Sequence, residues 1–184
     1  METAAKTSRK TRWALDPAHS EIAFKVRHMM IANVKGEFRK FAASLVTDGQ
    51  DFTKSRIDVT IDAKSILTHD VQRDDHLRSR EFFDVEKYPT LTFNGTSITK
   101  VDDDEYKVRG ILSIKNVSRE VELDVEFGGL SKDPWGKERA GFSLEGMINR
   151  KDYGLTWNEA LETGGVLVGE EVKIRVEVEF VKQA

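Results

Sequence analysis

The chain has 184 residues, a formal charge of -3 and no cysteine. That length suits one domain. The near balance of 29 basic and 32 acidic residues leaves no broad footprint for nucleic acid, and the missing thiols exclude a disulfide framework and a cysteine nucleophile. With 39% hydrophobic and 33% charged residues the composition is that of a globular protein. No run approaches the roughly 18 apolar residues of a membrane helix, so stable membrane insertion is not expected.

Residues 1–12 are polar and basic and read as a disordered tail, with a single domain over 13–184. They lack the apolar centre of a secretory signal, which points to a cytoplasmic chain, or to a periplasmic one whose signal has been removed. Asp16-Pro17 marks a turn. Ile22, Phe24 and Val26 then alternate with charged residues, the period of a half-buried strand. The run from Val34 to Thr47 is long, and Gly36 inside it predicts a bend or bulge. Phe38 and Phe41 fall on opposite faces of a regular strand, so either the phase shifts between them or one ring faces out. Asp48-Gly49 turns the chain, and Ile57, Val59, Ile61 and Ala63 form the next apolar face.

The segment His69–Phe93 breaks this pattern. Asp70 is placed to cap a short helix over roughly 71–80, because its carboxylate can accept the first free N–H groups. Asp74 and Arg78, four apart, are expected to pair on the helix surface. Apolar content is thin (Val71, Leu77, then Phe82 and Phe83), so this helix has to lie on something larger. Tyr88-Pro89 restores extended chain, and the segment is expected across one end of a closed sheet.

Leu91 and Phe93 open another strand. Asn94-Gly95 is read as a kink within it rather than a hairpin turn. Asp102–Glu105 forms a hairpin tip, since the ligand spacing and central glycine of a calcium loop are missing. Tyr106, Val108, Gly110, Leu112 and Ile114 share a face, Lys115-Asn116 turns, and Val121, Leu123, Val125 and Phe127 alternate with acids. Gly128-Gly129 is read as the end of that strand, followed by a loop over 131–137. Ala140 to Ile148 and Val172 to Phe180 give the last two strands, flanking an irregular stretch over 153–165 with a helical turn expected near Trp157 to Leu161. The sum is all-β: eight mostly short-linked, antiparallel strands, in a barrel or two packed sheets, with one short helix after strand three. An eight-stranded barrel can be filled by its own side chains or hold one small ligand, and alternation does not decide which.

Several motifs together are familiar: Trp13-x-x-Asp16-Pro17-Ala18-His19-Ser20, Phe24-x-Val26-x-His28, Val34-x-Gly36-x-Phe38, Arg73-Asp74-Asp75-His76-Leu77 with Phe82-Phe83-Asp84 and Tyr88-Pro89, Gly110-x-Leu112-x-Ile114, and Asn149-Arg150-x-Asp152-Tyr153-Gly154. In this order, from Trp13 to Lys182, the chain resembles the YceI-like family. The resemblance implies an extended lipocalin-like barrel that binds a polyisoprenoid or related long-chain amphiphile, of isoprenoid quinone or prenyl-phosphate type, without catalysis. No cofactor is expected beyond such a bound lipid, and a homodimer is the default should the chain oligomerise.

A prenyl chain gains roughly 25 cal/mol per Å² of apolar surface removed from water. Its site therefore needs a long greasy cavity with a few polar groups at the mouth. The candidate lining is Phe24, Val26, Phe38, Ile57, Val59, Phe93, Leu112, Ile114, Phe142 and Leu144; the alternative is that these fill an ordinary core. Head-group candidates are Arg73, His76, Asn149 and Arg150, with Arg78 and Arg80 nearby, since a guanidinium fork suits phosphate; the alternative is a solvated helix whose arginines pair with its own acids. His28 and His76 could instead tie the helix to the barrel. No metal site is expected from His19, His28, His69 and His76, because no close ligand pair is visible. No catalytic constellation is visible either: His19 and Ser20 are strand neighbours that point apart. The rival functions are an enzyme using His76 with Arg73 or Asp75, and a stress-linked interaction module on a solid barrel.

Overall fold

The structure, a computed structural model, describes residues 10–183. Its strands are β1 (Lys10–Leu15), β2 (Glu21–His28), β3 (Ala32–Phe38), β4 (Phe41–Asp48), β5 (Asp51–Asp62), β6 (Ile66–Leu67), β7 (Thr90–Lys100), β8 (Glu105–Ile114), β9 (Val117–Lys132), β10 (Glu138–Asn149) and β11 (Val168–Lys182), with the helix α1 (Val71–Arg78) between β6 and β7.

All pairings are antiparallel and the sheet closes on itself, because β1 pairs with both β4 and β11. β1 and β2 run along the same partner, β11, and act as one strand interrupted at residues 16–20. β3 and β4 likewise form one strand broken at Arg39-Lys40, paired with β2 and then β1. Counted this way the barrel has eight strands, and closure leaves no open edge along its main girth.

The interruption after β1 is built by local chemistry. Asp16 caps a short 3-10 turn over Pro17–His19 by accepting from Ala18 N. The Ser20 hydroxyl donates to the Asp16 carbonyl and accepts from Glu179 N on β11. Arg139 on β10 binds the Asp16 carboxylate at 2.7 Å, Glu179 at 2.9 Å and Asp133 at 3.0 Å. One guanidinium thus joins the interruption to two strands and to the β9–β10 turn.

Several sequence expectations need correction. Strand β1 begins at Lys10, so the last three residues assigned to the tail are sheet; residues 1–9 lie outside the described residues. Gly36 makes no bulge: β2 and β3 stay in register, with Phe24 directly opposite Gly36. The phase shift falls at Arg39-Lys40 instead, and it turns both Phe38 and Phe41 inward. Gly128 is an extra residue in β9, unpaired between Phe127 and Gly129, and the strand continues to Lys132. No helical turn forms near Trp157; the turn lies earlier, at Arg150–Tyr153. The kink at Asn94-Gly95 appears as a register shift within an unbroken β7.

Helix α1 starts where expected, with the Asp70 carboxylate accepting from Arg73 N at 3.0 Å. Asp74 and Arg78, however, do not pair. Asp74 is 4% exposed and accepts from the backbone N and the hydroxyl of Thr68. Arg78 reaches the carbonyls of Lys64 and Ile66, and Asp75. The helix is thin in apolar residues because polar bonds to the chain just before it do the anchoring.

Candidate functional site: a blind apolar cavity

The inner faces of the eight strands do not meet at the centre. They enclose a cavity of about 600 Å³. Part of the reason is where bulky side chains rest. A Cβ added at Gly36 would lie 2.3 Å from Phe24 Cζ, and one at Gly110 would lie 2.5 Å from Phe93 Cζ. Each ring folds back over a glycine on the neighbouring strand instead of crossing the lumen. The glycines are inner-face positions chosen for close approach, and they keep the axis open.

All ten apolar residues named from the sequence, from Phe24 on β2 to Leu144 on β10, lie on the cavity wall. At the end away from α1, Phe52, Phe127 and Phe142 pack with ring centroids 5.0–5.2 Å apart. Trp13 stands 6.1 Å from Phe52, and Phe180 6.2 Å from Phe142. This aromatic cluster is the floor. Near it, the Ser55 hydroxyl is buried with no hydrogen-bond partner.

Charged and polar groups gather at the α1 end: Arg27 and His28 from β2, Thr68, Gln72, Arg73 and His76 from around α1, and Arg150. Arg73 donates through Nε to the Thr68 hydroxyl (2.7 Å) and through Nη2 to its carbonyl (2.6 Å), and Thr68 in turn donates to buried Asp74. His76 bonds Glu81 through Nε2 and meets the rings of Trp157 and Phe82 edge-on, at 4.6 and 5.0 Å. His76 therefore links α1 to the 150s loop by ring packing, as well as bordering the cavity.

The other two head-group candidates are placed differently. Asn149 is off the wall; its side chain accepts from Lys151 N and caps the turn at Arg150–Tyr153. Arg150 borders the cavity but is 3% exposed, and its guanidinium donates to the carbonyls of Gly169, Leu155, Trp157 and Val168 at 2.6–3.2 Å. Burial pushes its pKa below the usual arginine range, with the Glu170 carboxylate opposing the shift. Its main work is to bind the loop over residues 155–169 to the barrel. Arg78 and Arg80 are also off the wall.

Sequence reasoning missed Arg27, Thr68, Trp157 and Phe52 on the cavity wall. Phe52 is an aromatic just after the Asp48-Gly49 turn, but it is out of phase with Ile57, Val59 and Ile61, so strict alternation put it on the outer face. Trp157 carried no signal, because the loop that holds it has no periodicity.

Among the described residues, one group of side chains has the spacing of a metal site: Asp16, His19 and Glu179. Arg139 already bonds both carboxylates, so a cation there would have to displace a guanidinium. No helix among the described residues is long and apolar enough to cross a membrane.

Comparison with known proteins agrees with this architecture. Residues 13–180 match the YceI-like domain. The chain is 43% identical over 171 residues to a UPF0312 protein of Staphylococcus epidermidis, spanning 92% of this chain and 97% of that one. It is similar to the crystal structure of a Campylobacter jejuni YceI protein (36% identity, TM-score 0.74, 92% and 97% of the two chains). At 16% identity, which speaks to fold alone, it also matches a polyisoprenoid binding domain from Saccharophagus degradans with TM-score 0.70, over 93% and 98% of the two chains. With nearly the whole barrel matched, the chain belongs to the YceI-like family.

Proposed function

We propose that this barrel binds and carries a polyisoprenoid or related long-chain amphiphile, without catalysis. The observation that carries this reading is the cavity itself, about 600 Å³, walled by apolar side chains, closed by aromatic rings at one end and ringed by polar groups at the other. Its size lies within the roughly 300–1,000 Å³ range of small-molecule sites. A domain of the same fold from Saccharophagus degradans is described as a polyisoprenoid binding domain, so a barrel of this shape is compatible with that ligand class.

The chain of the lipid lies toward the floor, in contact with the ten apolar residues from Phe24 to Leu144, and its head lies at the α1 end. Arg73 is the head-group residue we favour: it borders the cavity, and the bonds to Thr68 hold its fork in place while leaving Nη1 free of them. His76 stands beside it. Arg150 is set aside from this role because its donors are taken by carbonyls.

Organic extraction of the purified protein followed by mass spectrometry tests the reading, together with uptake of added prenyl lipids by the stripped protein. A co-purifying long-chain amphiphile, or stoichiometric uptake, is expected; neither one appearing would sink it. Arg73→Ala is expected to weaken binding of a prenyl phosphate by about tenfold, the loss of one charge-assisted contact, and to leave the matching prenol within about twofold. Equal weakening of both would remove Arg73 from the head-group site.

A further inference from the structure

The hairpin joining β2 to β3 has a tip that folding alone does not call for. His28 O accepts from Ile31 N at 3.2 Å, and Met29 and Met30 between them hold positive φ, 51° and 64°. Such a turn favours Asn and Gly, which enter that backbone region most readily. Here it carries three apolar side chains, Met29, Met30 and Ile31, which are 43, 51 and 80% exposed. The tip stands at the rim of the cavity mouth. Arg27 and His28, just before it, border the cavity, and Met29 N donates to the carbonyl of Leu167, which borders it too. Val71, at the start of α1, adds a fourth exposed apolar side chain between Asp70 and Gln72 of the same rim.

A second feature lies on the outer face of the same hairpin. Lys25 on β2 is directly opposite Lys35 on β3 and, on its other side, Lys173 on β11. Like charges opposite one another in a sheet are destabilising. Among the described residues the lysines that form ion pairs are Lys64, Lys107, Lys151 and Lys182, so this row of three is uncompensated. The row is four residues from the tip, about 13 Å along the strand. With the tip buried roughly 5–10 Å into a headgroup layer, flexible lysine stems bring their ammonium groups to the lipid phosphates.

We propose that the protein docks reversibly on anionic lipid bilayers through the β2–β3 hairpin, tip in the headgroup–acyl boundary and lysine row on the phosphates, so that the cavity mouth opens onto the membrane. An apolar tip and a basic patch are two weak signals that together hold a protein at a membrane surface. A second copy of the chain fits less well. Four apolar side chains are far fewer than the roughly 20–30 residues each partner gives a stable interface, and the lysine row would face its own charge. The proposal rests on the lipid-binding reading for what passes through the mouth.

Co-sedimentation of the full-length protein with vesicles tests the docking, using an equimolar mixture of phosphatidylcholine and phosphatidylglycerol beside phosphatidylcholine alone. Binding is expected on the mixed vesicles, and at least about tenfold weaker on the neutral ones or at high salt. Met29→Ser combined with Ile31→Ser should weaken it by at least about tenfold. Lys25→Gln, Lys35→Gln and Lys173→Gln together should do the same on mixed vesicles and change nothing on neutral ones; if one set does not fold, the other decides. None of these five residues is on the cavity wall, so uptake of a prenol presented in detergent should be unchanged. Trp135→Ser, which removes an 81% exposed aromatic from the β9–β10 turn at the floor end, should bind vesicles like the wild type. No vesicle binding by the wild type, binding indifferent to both sets, or binding lost with Trp135→Ser overturns the docking and leaves lipid carriage standing. A concentration-dependent dimer that Ile31→Ser dissolves, without vesicle binding, overturns it in favour of a second copy. Vesicle binding through the hairpin without any prenol uptake upholds the docking and removes lipid carriage.

Discussion

Arg150 shows how a charged residue can border a cavity while its donors are committed to the fold. Its planar fork spans four carbonyls at the barrel mouth, a pattern an ammonium on a flexible stem cannot copy. Arg150→Lys should therefore cost about 3 kcal/mol in urea denaturation, through carbonyls left buried without donors. A loss of only a few tenths would return Arg150 to the head-group site. Its motif was legible in the sequence, but its role was not, because backbone acceptors, two in the loop at Leu155 and Trp157 and two at the start of β11, leave no mark in side-chain chemistry. Asp16 poses the opposite case, a residue whose environment predicts a pH effect. The hydrogen bond from His19, then that from Arg139, lowers its carboxyl from the ordinary 3.8 to about 2. A depressed folded pKa gives stability that is present above the ordinary value and is lost as pH falls toward 2. Wild type should lose stability across that window in acid denaturation followed by circular dichroism. Asp16→Asn should start lower at neutral pH and change less; an unchanged acid profile would contradict the assignment.

At the scale of elements, the alternation of apolar and charged residues located the long strands after β1, since period two is imposed by the pleat itself. It failed where geometry depends on a partner. β1 was hidden because Trp13 is its only fully buried residue, too little for a periodic signal. The break at Arg39-Lys40 could be inferred only as a choice between two phases, and pairing with β2 on one side and β1 on the other settles it. Gly36 was read as a bend because glycine weakens a strand, whereas its task is to admit the ring of Phe24. Gly36→Ala should cost about 1–3 kcal/mol by overpacking, measured by thermal denaturation. Phe24→Leu in the same chain should recover more than half of that, since it removes the colliding ring; additive losses would show that Gly36 serves some other purpose.

On the scale of the whole molecule, closure and emptiness are separate properties. Eight amphipathic strands were legible in the sequence but fit a barrel or two packed sheets equally; the motif resemblance implied the barrel, and the pairing of β1 with both β4 and β11 closes it. Emptiness was not legible, because a filled barrel and a hollow one carry the same alternation. It depends on rings folded over glycines, a floor built by aromatics from five strands, and a helix segment held by polar bonds across the other end. The measurement that bears most directly on it is Leu112→Trp, made on a residue that borders the cavity and assayed for both folding stability and prenyl-lipid uptake. A hollow barrel should take the indole with a stability change below about 1 kcal/mol and lose most of its lipid uptake; a loss of about 1–3 kcal/mol by overpacking, with uptake absent in the wild type as well, would contradict the account.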